Sequence, residues 1–274
     1  MTTTRGPCPQ CDRGPKDRAL AVTTDHRGTV SFCHRCGYTS AEPNRQPVAI
    51  RATRCTMQNR PDTLDDSPPL DWSLTAERIW RRTVPLRGTV GAVYLQNRGC
   101  RLPPADSDLR FLPPHGVFPP SLCGLVTDAA TGKKLSLHFT RVAPDGSGKA
   151  GTDRDKLLLR GHRKKGGCIR LWPDEAVTTG LAIAEGIETA LAAAHRFTPI
   201  WSTIDASNFA AFPLLAGIEA LTIYADNDEA GVKAARECAR RWRDAGREVH
   251  ARVPKQPGQD VADIAAAIRA RRCA

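Results

Sequence analysis

The C-terminal third of the chain alternates between short apolar runs and segments with helical periodicity. The apolar runs occupy residues 181–184, 199–203, 220–225 and 248–253. Runs of this length between helical segments are typical of parallel strands in βα units. Helices are predicted over residues 186–195, 207–215 and 229–244, the last of which ends before Gly246. The pattern therefore predicts an α/β domain with a central, mostly parallel sheet.

The pattern is weaker between residues 71 and 178. Two helices are predicted early in this segment, and the second spans residues 90–97. The residues of this helix expected to face inward are Ala92, Val93 and Leu95. Two alternating runs between residues 122 and 142 flank a turn and predict a hairpin. We expect this segment to form a mixed α+β subdomain.

Four of the ten cysteines form two pairs with metal-ligand spacing. Two residues separate the cysteines of each pair, and alternating runs at residues 19–23 and 29–32 predict a hairpin between the pairs. This pattern predicts a zinc ribbon whose ligands are Cys8, Cys11, Cys33 and Cys36. A site closed by four thiolates leaves no open position, so the zinc is expected to be structural and to stabilise this small module.

The charge of the chain points to a polyanionic partner. Forty Lys and Arg against 29 Asp and Glu give 274 residues a formal charge of +11, and the pI is near 9.4. This balance indicates nucleic acid or an anionic membrane, although a merely soluble basic protein would also fit. No apolar run approaches the roughly 20 residues of a membrane span, and the amino terminus has no apolar signal region. We therefore expect a cytoplasmic protein with reduced cysteines and no membrane association.

Residues 141–170 are the most basic part of the chain. Six glycines lie among nine basic residues, which are Arg141, Lys149, Arg154, Lys156, Arg160, Arg163, Lys164, Lys165 and Arg170. Basic side chains on a glycine-rich backbone suit the phosphates of a nucleotide or nucleic acid. A flexible, solvated loop is the alternative.

Acidic residues follow two of the predicted strands. Glu185 comes directly after residues 181–184, and Asp226 and Asp228 come after residues 220–225. Because ligands of open α/β sheets bind at the carboxyl ends of the strands, these side chains are expected at one edge of the sheet. Three carboxylates at one place repel one another, and a divalent cation would neutralise them.

Both acidic motifs resemble those of a known family. A strand that ends in Ala184-Glu185-Gly186 and a strand that ends in Asp226-Asn227-Asp228 resemble the Toprim domain of primases and topoisomerases. The form of the two motifs is similar to that in primases of bacteriophages and plasmids. The order of ribbon, basic segment and Toprim sheet is similar to that of bacterial-type primases.

The resemblance implies a DNA primase that makes primers on single-stranded DNA from nucleoside triphosphates. It implies that Mg²⁺ or Mn²⁺ is held by Glu185, Asp226 and Asp228, with weaker support from Asp260 and Asp263. The residues assigned to nucleotide or template binding are Lys156, Arg141 and Lys149. Glu188, one turn after Glu185, would either support the metal site or face solvent.

Other functions fit parts of the pattern. A two-cation site can also activate water, so a metal-dependent nuclease is one alternative. A non-catalytic accessory protein that binds single-stranded DNA during replication is another. A topoisomerase needs a nucleophilic tyrosine on a separate gate domain, for which 274 residues are too few. Because no Gly-x-x-x-x-Gly-Lys-Ser/Thr loop occurs, a replicative helicase would be a separate polypeptide or a missing portion.

Together these inferences predict a multidomain chain that combines α+β and α/β folds. Its segments are a zinc ribbon over residues 1–46, a linker over 47–70, a basic primase subdomain over 71–178, and a Toprim domain with a C-terminal helix over 179–274.

Overall fold

The computed structural model describes residues 2–43 (without 12, 13, 15, 26, 27, 34 and 37), 71–256, 258 and 261. The chain divides into two compact units, Met1–Asp65 and Asp66–Ala274. The predicted linker, nearly all of the predicted C-terminal helix, and the acidic pair Asp260 and Asp263 lie outside the described residues. The predicted domain boundaries stay predictions.

The first unit contains a four-stranded antiparallel sheet with strands in chain order. The strands are β1 (Thr2–Gly6), β2 (Leu20–Asp25), β3 (Gly28–Cys33) and β4 (Thr39–Pro43). Strands β2 and β3 are the predicted hairpin, with Leu20 opposite Cys33 and Asp25 opposite Gly28. The two outer strands were not predicted, because the Thr-Thr-Thr-Arg-Gly of β1 has no apolar alternation to signal a strand.

The second unit is built on one continuous nine-stranded sheet. The strands are β5 (Leu109–Leu112), β6 (Ser121–Asp128), β7 (Lys134–Arg141), β8 (Lys156–Leu158), β9 (Gly167–Arg170), β10 (Gly180–Ala184), β11 (Ile200–Ser202), β12 (Ala220–Tyr224) and β13 (Glu248–Arg252). Their order is β13-β12-β10-β11-β9-β6-β7-β8, and β5 pairs with β6. Strands β13, β12, β10 and β11 are parallel, as predicted, and the rest are antiparallel.

Five α-helices in the described part of the chain cover the two faces of this sheet. They are α1 (Leu74–Arg81), α2 (Val90–Asn97), α3 (Ile187–Ala193), α4 (Ala206–Ala210) and α5 (Glu229–Asp244). Along β10, Ala182 and Ala184 pack with residues of α2 and α3, while Leu181 and Ile183 pack with residues of α4 and α5. A parallel sheet buried on both faces is the arrangement expected of α/β proteins. Among the described residues, no helix is both long and apolar enough to cross a membrane.

Three of the predicted helices differ in detail from the observed ones, and one of them is α3, which spans Ile187–Ala193 where residues 186–195 were predicted. Helix α2 has the predicted bounds, but Val93 is 41% exposed and Tyr94 takes an inward position at 1%. The reason is Gly91, where a Cβ would stand 2.8 Å from the Phe111 side chain; the bare glycine lets this side of the helix face the sheet. Helix α4 is shorter than predicted because the chain leaves helical geometry before Pro213.

Candidate functional site

The sulfur atoms of four cysteines lie together at one end of the sheet in the first unit. Cys8 Sγ is 3.7 Å from Cys36 Sγ, and Cys11 Sγ is 3.7 Å from Cys33 Sγ. All four lie within 4.8 Å of one another. Sulfurs bound to zinc at about 2.3 Å stand about 3.8 Å apart when they form a tetrahedron. The cluster therefore has the donor set and the spacing that a structural zinc ion requires.

The local backbone also favours the metal-binding form of one of these thiols. Hydrogen bonding from the backbone N–H of Cys36 lowers the pKa of Cys33 to about 6, against the effect of burial. The thiolate is the form of cysteine that binds metal. The turn after β3 therefore favours the thiolate of Cys33, whereas hydrogen bonding with the neighbouring thiols raises the pKa of Cys11 to about 12.

The three acidic residues singled out in the sequence lie at one edge of the second unit's sheet. Glu185 follows β10 and Asp226 follows β12, and the last residues of these neighbouring parallel strands, Ala184 and Tyr224, are paired. Asp228 caps α5, because its Oδ1 accepts a hydrogen bond from the N–H of Gly231 at 2.7 Å. The three acidic residues thus lie in the loops that connect β10 to α3 and β12 to α5.

The carboxylates at this edge influence one another electrostatically. Burial, followed by the negative charges of Asp226, Asp228 and Asp205, raises the pKa of Glu185 to about 6, and Lys156 opposes the rise. In the described part of the chain, the donor atoms of the four cysteines lie within 4.8 Å of one another. The three carboxylates form no such group, so their oxygens are spaced more widely. Mg²⁺ usually keeps several of its waters and takes only one or two carboxylates directly. The oxygen donors therefore suit a hydrated divalent cation, which needs only one or two of these carboxylates as direct ligands.

Asp205 is a further carboxylate at this edge that the sequence analysis missed. It lies after β11 and caps α4 by accepting a hydrogen bond from the N–H of Asn208 at 3.0 Å. Its Oδ2 also accepts a hydrogen bond from Lys164 Nζ at 2.8 Å. Its signal in the sequence was an aspartate just before a helical segment, at the carboxyl end of a third parallel strand.

The basic residues assigned to nucleotide binding occupy different places. Lys156 begins β8, and its ammonium lies 3.7 Å from the position that a Cβ of Gly186 would take, at the start of α3. Lys149 lies near enough to α3 for its charge to lower the pKa of Glu188. Arg141 donates instead to Thr152 Oγ1 at 3.4 Å. The structure thus places Lys156 and Lys149 near the beginning of α3. The hydrogen bond of Arg141 is made elsewhere, to Thr152.

Glu188 does not face solvent, which had been one of the two expectations for it. The residue is 4% exposed, and Tyr94 donates a hydrogen bond to its Oε1 at 3.1 Å. Lys156 Nζ lies 3.2 Å from its Oε2. The tyrosine is therefore part of a buried polar contact between α2 and α3.

A parallel sheet with acidic residues at the ends of neighbouring strands defines the class of domain in this unit. Residues 180–269 match the family model of the Toprim domain, and residues 72–171 match a domain of unknown function (DUF7146). The chain therefore contains a Toprim domain, as its motifs predicted, together with an N-terminal four-cysteine cluster. No curated protein matches the chain.

Several solved primase structures are similar to the chain. The primase fragment of the bacteriophage T7 primase-helicase protein has 17% identity and a TM-score of 0.43, over 98% of this chain and 97% of that one. The Aquifex aeolicus primase has 12% identity and a TM-score of 0.44, over 98% and 77%. A DNA primase domain from Pseudomonas aeruginosa has 15% identity and a TM-score of 0.38, over 65% and 56%.

Proposed function

We propose that the chain is a DNA primase that synthesises short primers on single-stranded DNA. The observation that carries this proposal is that the Lys156 ammonium lies 3.7 Å from the position that a Cβ of Gly186 would take, beside Glu185 at the edge that Asp226 and Asp228 share. Carboxylate oxygens are the ligands that Mg²⁺ and Mn²⁺ prefer. A lysine ammonium is a point charge suited to phosphate. A cation site beside a phosphate-binding lysine is what nucleotidyl transfer requires.

The proposed reaction joins a nucleoside triphosphate to a 3′-hydroxyl. The hydroxyl oxygen bonds to the α-phosphorus and its proton passes to water, while the bond from that phosphorus to the pyrophosphate group breaks and pyrophosphate leaves. Glu185, Asp226 and Asp228 would hold the divalent cations, which would stabilise the charge of the attacking and leaving oxygens. Lys156 and Lys149 would bind the triphosphate and orient it towards the acidic edge.

The four-cysteine unit would serve the same activity by contacting the template. The net charge of +11 supports a polyanionic partner. We propose that this partner is single-stranded DNA, with nucleoside triphosphates as substrates and a helicase acting as a separate protein. A cytoplasmic setting would keep the four thiols reduced and able to bind zinc.

A template-dependent synthesis assay tests the proposal. Labelled nucleotides and Mg²⁺ or Mn²⁺ are incubated with single-stranded DNA and either the unmodified protein or a variant with Asp226→Asn and Asp228→Asn. Asparagine caps a helix about as well as aspartate, so the fold of α5 should persist. We expect primer yield to fall on the order of 100-fold, as ligand charge is lost from the metal site.

The control is Glu237→Gln, which removes a carboxylate from the exposed ion pair between Glu237 and Arg240 on α5. This variant should synthesise primers at the normal rate. Shortening of the template by the unmodified protein, with no new product, would instead identify a nuclease. Binding of the template with neither product would identify a non-catalytic accessory protein.

A further inference from the structure

Glu188 is a buried carboxylate placed directly beside the acidic edge. It lies on α3 three residues after Glu185 and is 4% exposed. Burial alone would raise the pKa of Glu188, but Lys156, a hydrogen bond from the backbone N–H of Glu188 and the charge of Lys149 together outweigh burial and lower the pKa to about 2. The carboxylate is therefore charged. A buried charge without a compensating partner would cost roughly several kcal/mol. Its partners must be considered together with it.

The two oxygens of Glu188 have different partners. Tyr94 from α2 donates to Oε1 at 3.1 Å, which fixes the rotation of the carboxylate. Lys156 Nζ lies 3.2 Å from Oε2, yet Oε2 has no partner that meets hydrogen-bond angles. The contact is thus an ion pair with imperfect direction, and the side chain of Lys156 remains 45% exposed. The ammonium is held in place while its protons stay available to a further acceptor.

Within the part of the chain that the structure describes, Lys156 is the basic residue in an ion pair with this carboxylate. His138 on β7 is close enough to interact with Glu188, but burial lowers the pKa of His138 to about 4, so its imidazole is neutral. Lys149 contributes to the charge around Glu188 from farther away than Lys156 does. Lys156 is therefore the cation that Glu188 holds.

Two groups of carboxylates attract the Lys156 ammonium, Glu188 on one side and the acidic edge on the other. This ammonium lies 3.7 Å from the position that a Cβ of Gly186, the residue after Glu185, would take. A lysine on a flexible four-carbon stem would move towards the stronger negative field of Glu185, Asp226 and Asp228. An ammonium among these carboxylates would occupy oxygens that a divalent cation needs. It would then also be unable to bind an incoming phosphate.

We propose that Glu188 is a positioning residue that keeps the Lys156 ammonium off the metal-binding carboxylates and presents it to the triphosphate. The inference rests on the proposed function for the identity of the phosphate ligand. Tyr94 serves the same end, because its hydrogen bond turns the other oxygen of Glu188 towards Lys156. Glu188 acts through Lys156 and does not itself contact the nucleotide.

Direct binding of Mn²⁺ in the absence of nucleotide gives the first test. Free Mn²⁺ is measured by electron paramagnetic resonance for the unmodified protein, Glu188→Gln, Lys156→Met and the variant with both changes. We expect Glu188→Gln to weaken Mn²⁺ binding roughly 10-fold, the scale seen when a residue behind metal ligands is lost. In the double variant, Mn²⁺ affinity should return to that of Lys156→Met, because the Lys156 ammonium is no longer there to compete.

A merely structural role for Glu188 predicts a different pattern. Damage to the fold would weaken Mn²⁺ binding in Glu188→Gln and in the double variant alike, and that result would overturn the inference. Unchanged Mn²⁺ affinity in Glu188→Gln would overturn it as well. Glu237→Gln is the matched control for loss of a glutamate, and urea unfolding of each variant reports its stability.

Nucleotide kinetics give a second, separate readout. Glu188→Gln should raise the KM for nucleoside triphosphate more than it lowers kcat, because it displaces a binding group and leaves the metal ligands intact. Tyr94→Phe should change KM in the same direction by a smaller factor. If the unmodified protein makes no primers, the proposed function fails, but the Mn²⁺ comparison still decides the role of Glu188. If it makes primers and Glu188→Gln has a normal KM and normal Mn²⁺ affinity, only the inference fails.

Discussion

Replacement of Gly231 by alanine tests whether the loop that carries Asp226 and Asp228 must lie where it does. Gly231 is in the first turn of α5, and its N–H donates to Asp228 Oδ1. A Cβ added to Gly231 would stand 2.7 Å from the carbonyl oxygen of Asp226 and 3.2 Å from Asp228 Oδ1. Both neighbours belong to the acidic edge, so the methyl group must displace two proposed metal ligands.

The size of the displacement follows from these distances. Ordinary van der Waals contact with a Cβ begins at 3.4 Å. The carbonyl oxygen of Asp226 would lie 2.7 Å from the added Cβ, which is about 0.7 Å too close. A misplacement of about 1 Å costs on the order of 100-fold in rate, so we expect a loss of about 10- to 100-fold for Gly231→Ala. Stability should change much less, because alanine gains up to about 1 kcal/mol over glycine within a helix and this offsets part of the strain.

The assay compares the initial rate of primer synthesis, Mn²⁺ affinity and urea unfolding for Gly231→Ala and Gly148→Ala. Gly148 has nothing within 4 Å of an added Cβ and no left-handed backbone, so its replacement controls for the change of residue type. A normal rate and normal Mn²⁺ affinity in Gly231→Ala would refute the reasoning. Equal losses in both variants would refute it too.

Two further predictions concern stability. Burial raises the pKa of Asp108 from 3.8 to about 6, so the folded state holds this proton more tightly than the unfolded state does, and stability is lost as pH rises from about 4 to about 6. Asp108→Asn should remove up to about 3 kcal/mol of that loss, measured by urea unfolding at both pH values; an unchanged pH dependence would contradict it. Removal of zinc by a chelator should expose four reactive thiols and unfold the first unit, while emission from the five tryptophans, all in the second unit, stays constant; a red shift would contradict this.

The elements that the sequence predicted well are those with a strong local signal. Helices α2 and α5 have the predicted bounds, and β10 and β12 begin or end within one residue of the predicted apolar runs. Their apolar spacing, N-caps and terminal glycine act within a few residues of one another, so no distant contact is needed to recognise them.

Arg170 illustrates what the local pattern does not reveal. The sequence placed it in the basic segment expected to face phosphate, but it is 8% exposed. Its Nε donates to Asp174 at 2.7 Å, and its guanidinium lies 4.5 Å from the ring centre of Trp201. These partners come together because β9 pairs with β11, an antiparallel contact between distant residues that joins the basic segment to the Toprim sheet. Hydrophobic periodicity carries no information about such a pairing.

The same limit applies to the acidic edge. The strand-end rule predicted that Glu185, Asp226 and Asp228 would lie together, and the structure places them on neighbouring strands, although their function as metal ligands stays a prediction. The direction of Glu188 could not be predicted, because one turn of helix after Glu185 is compatible with either face. Its direction depends on Tyr94 and Lys156, which lie far away in the sequence.

The balance of charge at this edge gives a reason to expect more than one divalent cation. The two carboxylates outside the proposed metal set, Glu188 and Asp205, are each paired with a lysine, Lys156 and Lys164 respectively. Above pH 6, where Glu185 is also ionised, the three proposed metal ligands Glu185, Asp226 and Asp228 bring three negative charges to the edge. One divalent cation would leave a negative site that repels a triphosphate. Two would leave a positive one, and the acidic edge would then attract the substrate it is proposed to bind.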